Sequence, residues 1–238
     1  MLKNKLLQLF QQNATKKNGI RSESSDDSAS IYLYDAIGDW YGVSAKDFAQ
    51  ELSACTCDTI NIYIDSPGGD VFEARAMATS IKRCGKNVVA HIDGLCASAA
   101  TTVAMACSSV EMATGTRFMI HKAWTLAIGN CDETTKMAEL LSKIDDDISA
   151  DYAAKTGKGV DEIMQMMAAE TWLSAQEALD MGFADSILGC GPDKSKKNAI
   201  KWDLSAYANA PKEEIQEPIE YDRDSFERPL KPMEMVNG

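Results

Sequence analysis

Strand-forming runs alternate with helix-forming runs along most of this chain, and that alternation restricts the fold more than any other feature. Segments 29–34, 59–65, 87–93, 110–113, 117–121 and 184–188 are short and largely apolar, with many β-branched residues, as expected of half-buried or buried strands. Segments 45–55, 71–83, 95–107, 131–156, 160–169 and 174–181 read as helices. Phe48 and Leu52 share one helical face, and Met137, Leu140, Leu141, Ile144 and Ile148 recur at helical spacing. The boundaries carry matching punctuation: Ser44 as a cap, Ser66-Pro67-Gly68-Gly69 as a turn, Asp70 at a helix start, Gly85 and Gly182 as stops, and Ser174-Ala175-Gln176-Glu177 as a capping box. Strand, helix and strand in succession imply parallel pairing through right-handed crossovers. The chain is therefore expected to be α/β, with a parallel sheet and an added helical arm over 131–169.

The ends have a different composition. Residues 11–28 are polar and rich in Ser, Asn and Asp, and the stretch after Cys190 turns to Lys, Glu and Pro. This predicts a flexible leader over 1–28, a domain over 29–190, and a polar tail over 191–238 that is mobile or orders only on a partner. The first ten residues mix basic and apolar side chains, but the apolar stretch is too short for a signal peptide and no small-residue cleavage site follows. No apolar run reaches the length of a transmembrane helix, about 18 residues. A net charge of −12 argues against nucleic acid or an anionic membrane as partner. The cysteines number seven, odd and scattered, as expected of reduced thiols in a cytoplasmic compartment. Cys55-Thr56-Cys57 is not a zinc spacing, and with two histidines in the chain no metal cluster suggests itself.

Two places could carry chemistry. The Ser66-Pro67-Gly68-Gly69 turn lies just past a parallel strand, the edge where ligands collect in open α/β sheets. Adjacent glycines there leave backbone N–H groups free to point at a substrate oxygen, although a plain strand-to-helix turn has the same composition. Gly94-Leu95-Cys96-Ala97-Ser98-Ala99-Ala100 also follows a strand and sets one hydroxyl among small residues. Ser98 reads either as a helix cap or as a nucleophile at a helix start; the G-x-S-x-G elbow is absent. A nucleophilic serine needs a base. His91 lies inside the apolar strand Val88-Val89-Ala90-His91-Ile92 and reads as a packed residue, whereas His121 closes a strand at the same kind of edge as Ser98.

Taken in order, Ile64-Asp65-Ser66-Pro67-Gly68-Gly69, Gly94-x-x-Ala97-Ser98-Ala99, Phe118-Met119-Ile120-His121 and Trp172-Leu173-Ser174-Ala175-x-Glu177-Ala178-x-x-Met181-Gly182-x-x-Asp185 resemble the proteolytic subunits of Clp proteases over about residues 30–188. The version with Glu-Thr-Trp before the closing helix is most similar to the Clp-like head maturation proteases of tailed phages and prophages. The resemblance implies the fold shared by these subunits and the crotonases, built from ββα-type units. It implies a serine endopeptidase with Ser98 as nucleophile and His121 as base. Glu170 takes the position where the family usually carries an aspartate as third triad member. Gly69 and Ala99 become the oxyanion-hole donors, with Gly68 at the substrate. No cofactor is implied for bond cleavage.

The same resemblance implies a polypeptide substrate, such as a capsid or scaffold protein. It also implies a homo-oligomeric ring in which the 131–156 helix interlocks stacked rings, in the cytoplasm or a prohead. It leaves open whether a Clp-type ATPase docks. Two other readings share the fold: a crotonase-type enzyme acting on acyl-CoA thioesters, and an inactive relative serving in assembly.

Overall fold

The computed structural model describes residues 20–24, 28–189, 202–205 and 207–211. Its elements are β1 (Ile20–Ser24), β2 (Ser28–Leu33), α1 (Ala45–Ala54), β3 (Thr59–Ser66), α2 (Val71–Arg83), β4 (Asn87–Ala97), α3 (Ala99–Met105) and β5 (Ser109–Ala113). They continue with β6 (Arg117–Ile120), α4 (Cys131–Thr156), α5 (Val160–Ala168), β7 (Thr171–Ser174), α6 (Ala175–Asp180) and β8 (Ser186–Leu188). The sheet runs β1-β2-β3-β4-β5-β8, with β6 on β4 and β7 on β6. Pairing is parallel from β2 through β8 and between β4 and β6, and antiparallel for β1–β2 and β6–β7. The expected α/β class holds, and the sheet is mixed rather than wholly parallel.

Alternation along the strands sets the two faces. Ile31, Ile62, Ala90 and Val110 point to one side and are buried under Phe48 of α1, Met77 and Ile81 of α2 and Val103 of α3. Burying one such large side chain contributes about 1.5–3 kcal/mol. The other face carries a ladder of rings in register: Arg21 lies over Tyr32, Tyr32 stacks on Tyr63, and Tyr63 stacks on His91. His91 also contacts Asn61 at 3.0 Å and Glu111 at 3.2 Å, so it is a strand residue satisfied by its neighbours.

The long strand β4 does most to place the site. Its first half pairs with β5 (Val89–Ile92 against Ser109–Met112), and its last residues pair instead with β6 (Leu95–Ala97 against Arg117–Met119). The change of partner falls at Gly94, where a Cβ would stand 2.6 Å from the Asp65 carboxylate. Opposite this point the β3 register also shifts, between Ile64 and Ser66. The ends of β3, β4 and β6 thereby converge at one rim.

Four expectations change. Residues 95–97, read as the start of a helix, end β4 instead, held there by pairing with β6, and the helix begins at Ala99. Residues 20–24 and 28, read as part of a flexible leader, form β1 and the start of β2; Arg21 and Ser22 are polar because this edge strand is only half covered. Residues 171–174 form a strand, β7, too short for its pattern to register. Residues 202–205 and 207–211, within the tail read as mobile or ordered only on a partner, pack on the domain as described below; residues 1–19, 25–27, 190–201, 206 and 212–238 lie outside the described residues. The helical arm lies where expected. α4 opens with a capping box between Asn130 and Glu133 and ends at Gly157, whose φ of 73° suits the left-handed stop. Its C-terminal half buries Ile148 and Tyr152 against the core, while residues near its start are exposed.

Candidate active site

Ser98 sits where β4 ends and α3 begins, with φ 55° and ψ −127°. Only two non-glycine residues among those described have positive φ, Ser98 and Glu170. Such backbone costs of order 1–3 kcal/mol and persists only where surrounding bonds enforce it. Here they do: the Ser98 N–H donates to Met119 O at 2.9 Å, and the Thr101 N–H donates to Ser98 O at 3.0 Å. Ser98 makes no side-chain cap bond, unlike Ser44 and Ser174, which cap α1 and α6. Its hydroxyl turns instead to His121, with Oγ 2.7 Å from Nε2. In the Nδ1–H tautomer the hydroxyl donates to Nε2, the pairing from which an imidazole can take the proton.

His121 follows β6 directly and is largely buried. Burial pushes its pKa down to about 4, and the Glu170 carboxylate opposes that shift. The ring is therefore neutral, the form of a base, at physiological pH.

The glycine turn lies against the serine. Gly68 has φ 85°, and a Cβ there would stand 2.5 Å from Ala97 O and 2.7 Å from Ala99 N. Gly69 has φ 150° and room for no Cβ, since one would lie 2.0 Å from Ile37 O. The Ile37 N–H donates to Gly68 O and the Asp70 N–H to Ile37 O, both at 2.9 Å, which fixes the turn. Among the described residues no acceptor takes the N–H of Gly69 or of Ala99. A cleft of about 420 Å³ opens here, lined by Gly69, Ser98, Ala99 and His121. It runs on between Phe72 of α2, Trp124 and Leu126 of the loop after His121, and Met137, Leu140 and Ile144 of α4. The apolar stripe of α4 thus faces the cleft.

Glu170 follows α5 in a left-handed turn, φ 49°. Its carboxylate accepts from the Trp172 indole at 3.1 Å, the Ala208 N–H at 2.9 Å and the Asn209 N–H at 2.7 Å. Among the described residues it makes no hydrogen bond to His121; its charge acts on the imidazole through space. Residues 202–205 and 207–211 form a strap across this side. Trp202 donates to Asp65 at 2.9 Å, Tyr207 to Pro67 O at 2.9 Å, and the Asn209 amide to Ala169 O at 2.8 Å. Trp202, Leu204 and Tyr207 cover Leu95, Ala97, Met119 and Trp172. Sequence reasoning missed the strap. The available signal was three apolar residues, Trp202, Leu204 and Tyr207, standing in a polar tail without helical or strand period.

The site thus sets a hydroxyl on an imidazole, at the end of a largely parallel sheet and beside two amides that meet no acceptor among the described residues. Known proteins supply the family. Residues 26–190 match the family model for Clp protease, and the chain belongs to that family of peptidases. It is 28% identical over 163 residues to ATP-dependent Clp protease proteolytic subunit 3 of Rhizobium johnstonii, covering 68% of this chain and 84% of that protein. It is 30% identical over 167 residues to proteolytic subunit 2 of Treponema pallidum, covering 66% and 83%. Among solved structures, a ClpP1 mutant from Listeria monocytogenes superposes with a TM-score of 0.59 at 25% identity, covering 68% of this chain and 91% of that one.

Proposed function

We propose that this chain is a serine endopeptidase that works through an acyl-enzyme. The observation that carries the reading is the 2.7 Å contact between Ser98 Oγ and His121 Nε2, made by two residues 23 positions apart. His121 takes the hydroxyl proton as Oγ attacks the peptide carbonyl. The oxyanion that forms is held by the N–H groups of Gly69 and Ala99, each worth about 3–4 kcal/mol in such sites. His121 returns the proton to the leaving amine, which departs, and the acyl group stays on Ser98. Water, deprotonated by the same imidazole, then releases the acid and restores the serine. Glu170 serves as the acid of the triad by charge, stabilising the imidazolium present in each transition state. The positive-φ turn at Gly68 lies beside the scissile bond.

The biological setting follows from the Glu-Thr-Trp variant of the closing segment, which is similar to phage head maturation proteases. The substrates are then capsid or scaffold chains, and the enzyme is a homo-oligomeric ring that cleaves without ATP. The apolar cleft between α2 and α4 suits an extended chain with hydrophobic side chains. The test is a fluorophosphonate probe followed by peptide mapping, together with digestion of casein and of a capsid or scaffold protein. Labelling at Ser98, with loss of labelling and of cleavage in Ser98→Ala, is expected. Equal cleavage by Ser98→Ala, or thioester turnover without labelling, rejects the peptidase reading.

A further inference from the structure

We propose that Tyr207 is a positioning residue for the catalytic histidine, carried on a C-terminal strap that the Glu170 carboxylate anchors. The strap's bonds converge on the groups around the catalytic pair. Tyr207 donates to the carbonyl of Pro67, one residue before Gly68. Its ring meets His121 edge-on, with centroids 5.6 Å apart, and meets Trp172 at 5.7 Å and a similar angle. The next two backbone N–H groups, of Ala208 and Asn209, both end on Glu170. Tyr207 therefore touches the glycine turn and the imidazole at once, while its neighbours grip the acid.

The geometry gives this contact work to do. Glu170 makes no hydrogen bond to His121 among the described residues, so the usual tether that fixes an imidazole's orientation is missing. A T-shaped ring contact restrains the same rotation by packing. It also keeps water from one side of His121. The Glu170 carboxylate is the charge that acts on the imidazole, and it lies on the same side as the strap. The alternative role for a tail near an active site is obstruction. The cleft beside Ser98 argues against that, because its lining includes no strap residue. The strap also forms an apolar cluster separate from the main core, so its removal leaves the core packing intact.

This inference rests on the peptidase reading, but the test separates the two. Full-length Ser98→Ala protein with labelled histidine rings is titrated by NMR, with and without Tyr207→Ala. The chain has two histidines, and His91, on the far ring ladder, serves as an internal reference. With Tyr207→Ala, the His121 midpoint rises as water reaches the ring, and His91 stays in place. Tyr207→Phe, which keeps the ring and loses only the bond to Pro67, brings His121 back toward the parent value. In the Ser98-containing enzyme, Tyr207→Ala lowers kcat by roughly 10- to 100-fold with little change in KM, as expected when a base is misplaced by a fraction of an ångström. Should Tyr207→Ala fail to fold, a chain ending at residue 201 provides the same comparison. An unmoved His121 midpoint, or equal movement of both histidines, overturns the proposal. Failure of the wild-type enzyme to label at Ser98 overturns the peptidase reading alone, since the titration does not depend on turnover.

Discussion

The two sides of the site are held by different kinds of structure. Ser98, His121 and the Gly68–Gly69 turn stand at the ends of β3, β4 and β6, where ladder hydrogen bonds fix the backbone from both sides. Glu170 and Tyr207 stand in a turn and a strap, held by side chains and single amides. A sheet edge places the proposed nucleophile and base through many cooperative bonds, none of which involves the reactive atoms. The strap places its residues through contacts that themselves touch those atoms. Changes on the first side should therefore act as loss of chemistry or of fold, and changes on the second as graded tuning.

The largest effect is expected on the sheet side. Ser98→Ala should lower peptide hydrolysis by at least about 10⁴-fold, as in other serine enzymes stripped of their nucleophile. It should leave the melting temperature nearly unchanged, because the hydroxyl caps nothing and the N–H to Met119 survives. Turnover assays and calorimetry on the pair check this. A large fall in stability would mean that the hydroxyl is structural, and the contrast between the two sides would lose its basis.

Gly68→Ala comes next. The added Cβ meets Ala97 O at 2.5 Å and Ala99 N at 2.7 Å, on a backbone of φ 85°. The turn must shift, and with it the neighbouring amides. The expected cost is roughly 10²- to 10³-fold in kcat, the size of a lost oxyanion donor, plus about 1–3 kcal/mol of stability from strain. Steady-state kinetics and denaturant melts would show both together. A variant with normal kcat would remove the glycine turn from the mechanism.

The same division explains what could be read from the sequence. The strand–turn–helix units of the sheet side carry period, punctuation and small residues in order, so β3, α2, the first half of β4 and the positions of Ser98 and His121 were legible; residues 95–97, whose small side chains read as a helix start, continue β4 because they pair with β6. The N-cap reading of Ser98 followed from its residue type; its positive φ, which sends the hydroxyl to His121 rather than to the helix amides, is a tertiary constraint with no local signature. β1 looks like a linker because Arg21-Ser22-Glu23 lines an edge that needs no apolar pairing on its outer side. The strap has no regular secondary structure to leave a period, and its meaning depends on Asp65, Pro67 and Glu170, between 38 and 140 residues away in sequence.

Glu170→Gln probes the strap side and should give a smaller effect. The charge is lost, and an amide N–H₂ replaces one acceptor facing the Ala208 and Asn209 N–H groups. Because no hydrogen bond to His121 is broken, the loss in kcat should be roughly 10- to 100-fold, the scale of one charge–charge interaction at an effective dielectric of about 20. That is well short of the loss from removing a bonded triad aspartate. The direction of the pH effect sharpens the comparison. Glu170 holds the His121 pKa up against burial, so Gln at this position should move the acid limb of the rate profile to lower pH, whereas Tyr207→Ala moves it higher. Opposite displacements from two residues of one strap assembly would separate charge from packing.

The smallest effect is in the wild-type pH profile. As the proposed base, His121 must be neutral to act, and burial places its pKa near 4 rather than at the ordinary 6.5. The rate kcat/KM should be level from neutrality down to about pH 5 and halve only near pH 4. Stability should follow a different course over the same range. Between 6.5 and about 4 the unfolded chain binds a proton at this position that the folded chain refuses. Unfolding free energy therefore rises with pH across that window and falls as the solution is acidified through it. An enzyme that loses half its activity near pH 6.5 while remaining folded would show that His121 is exposed to solvent in the working state. Were the strap already open in that state, the Tyr207→Ala profile would coincide with the wild type.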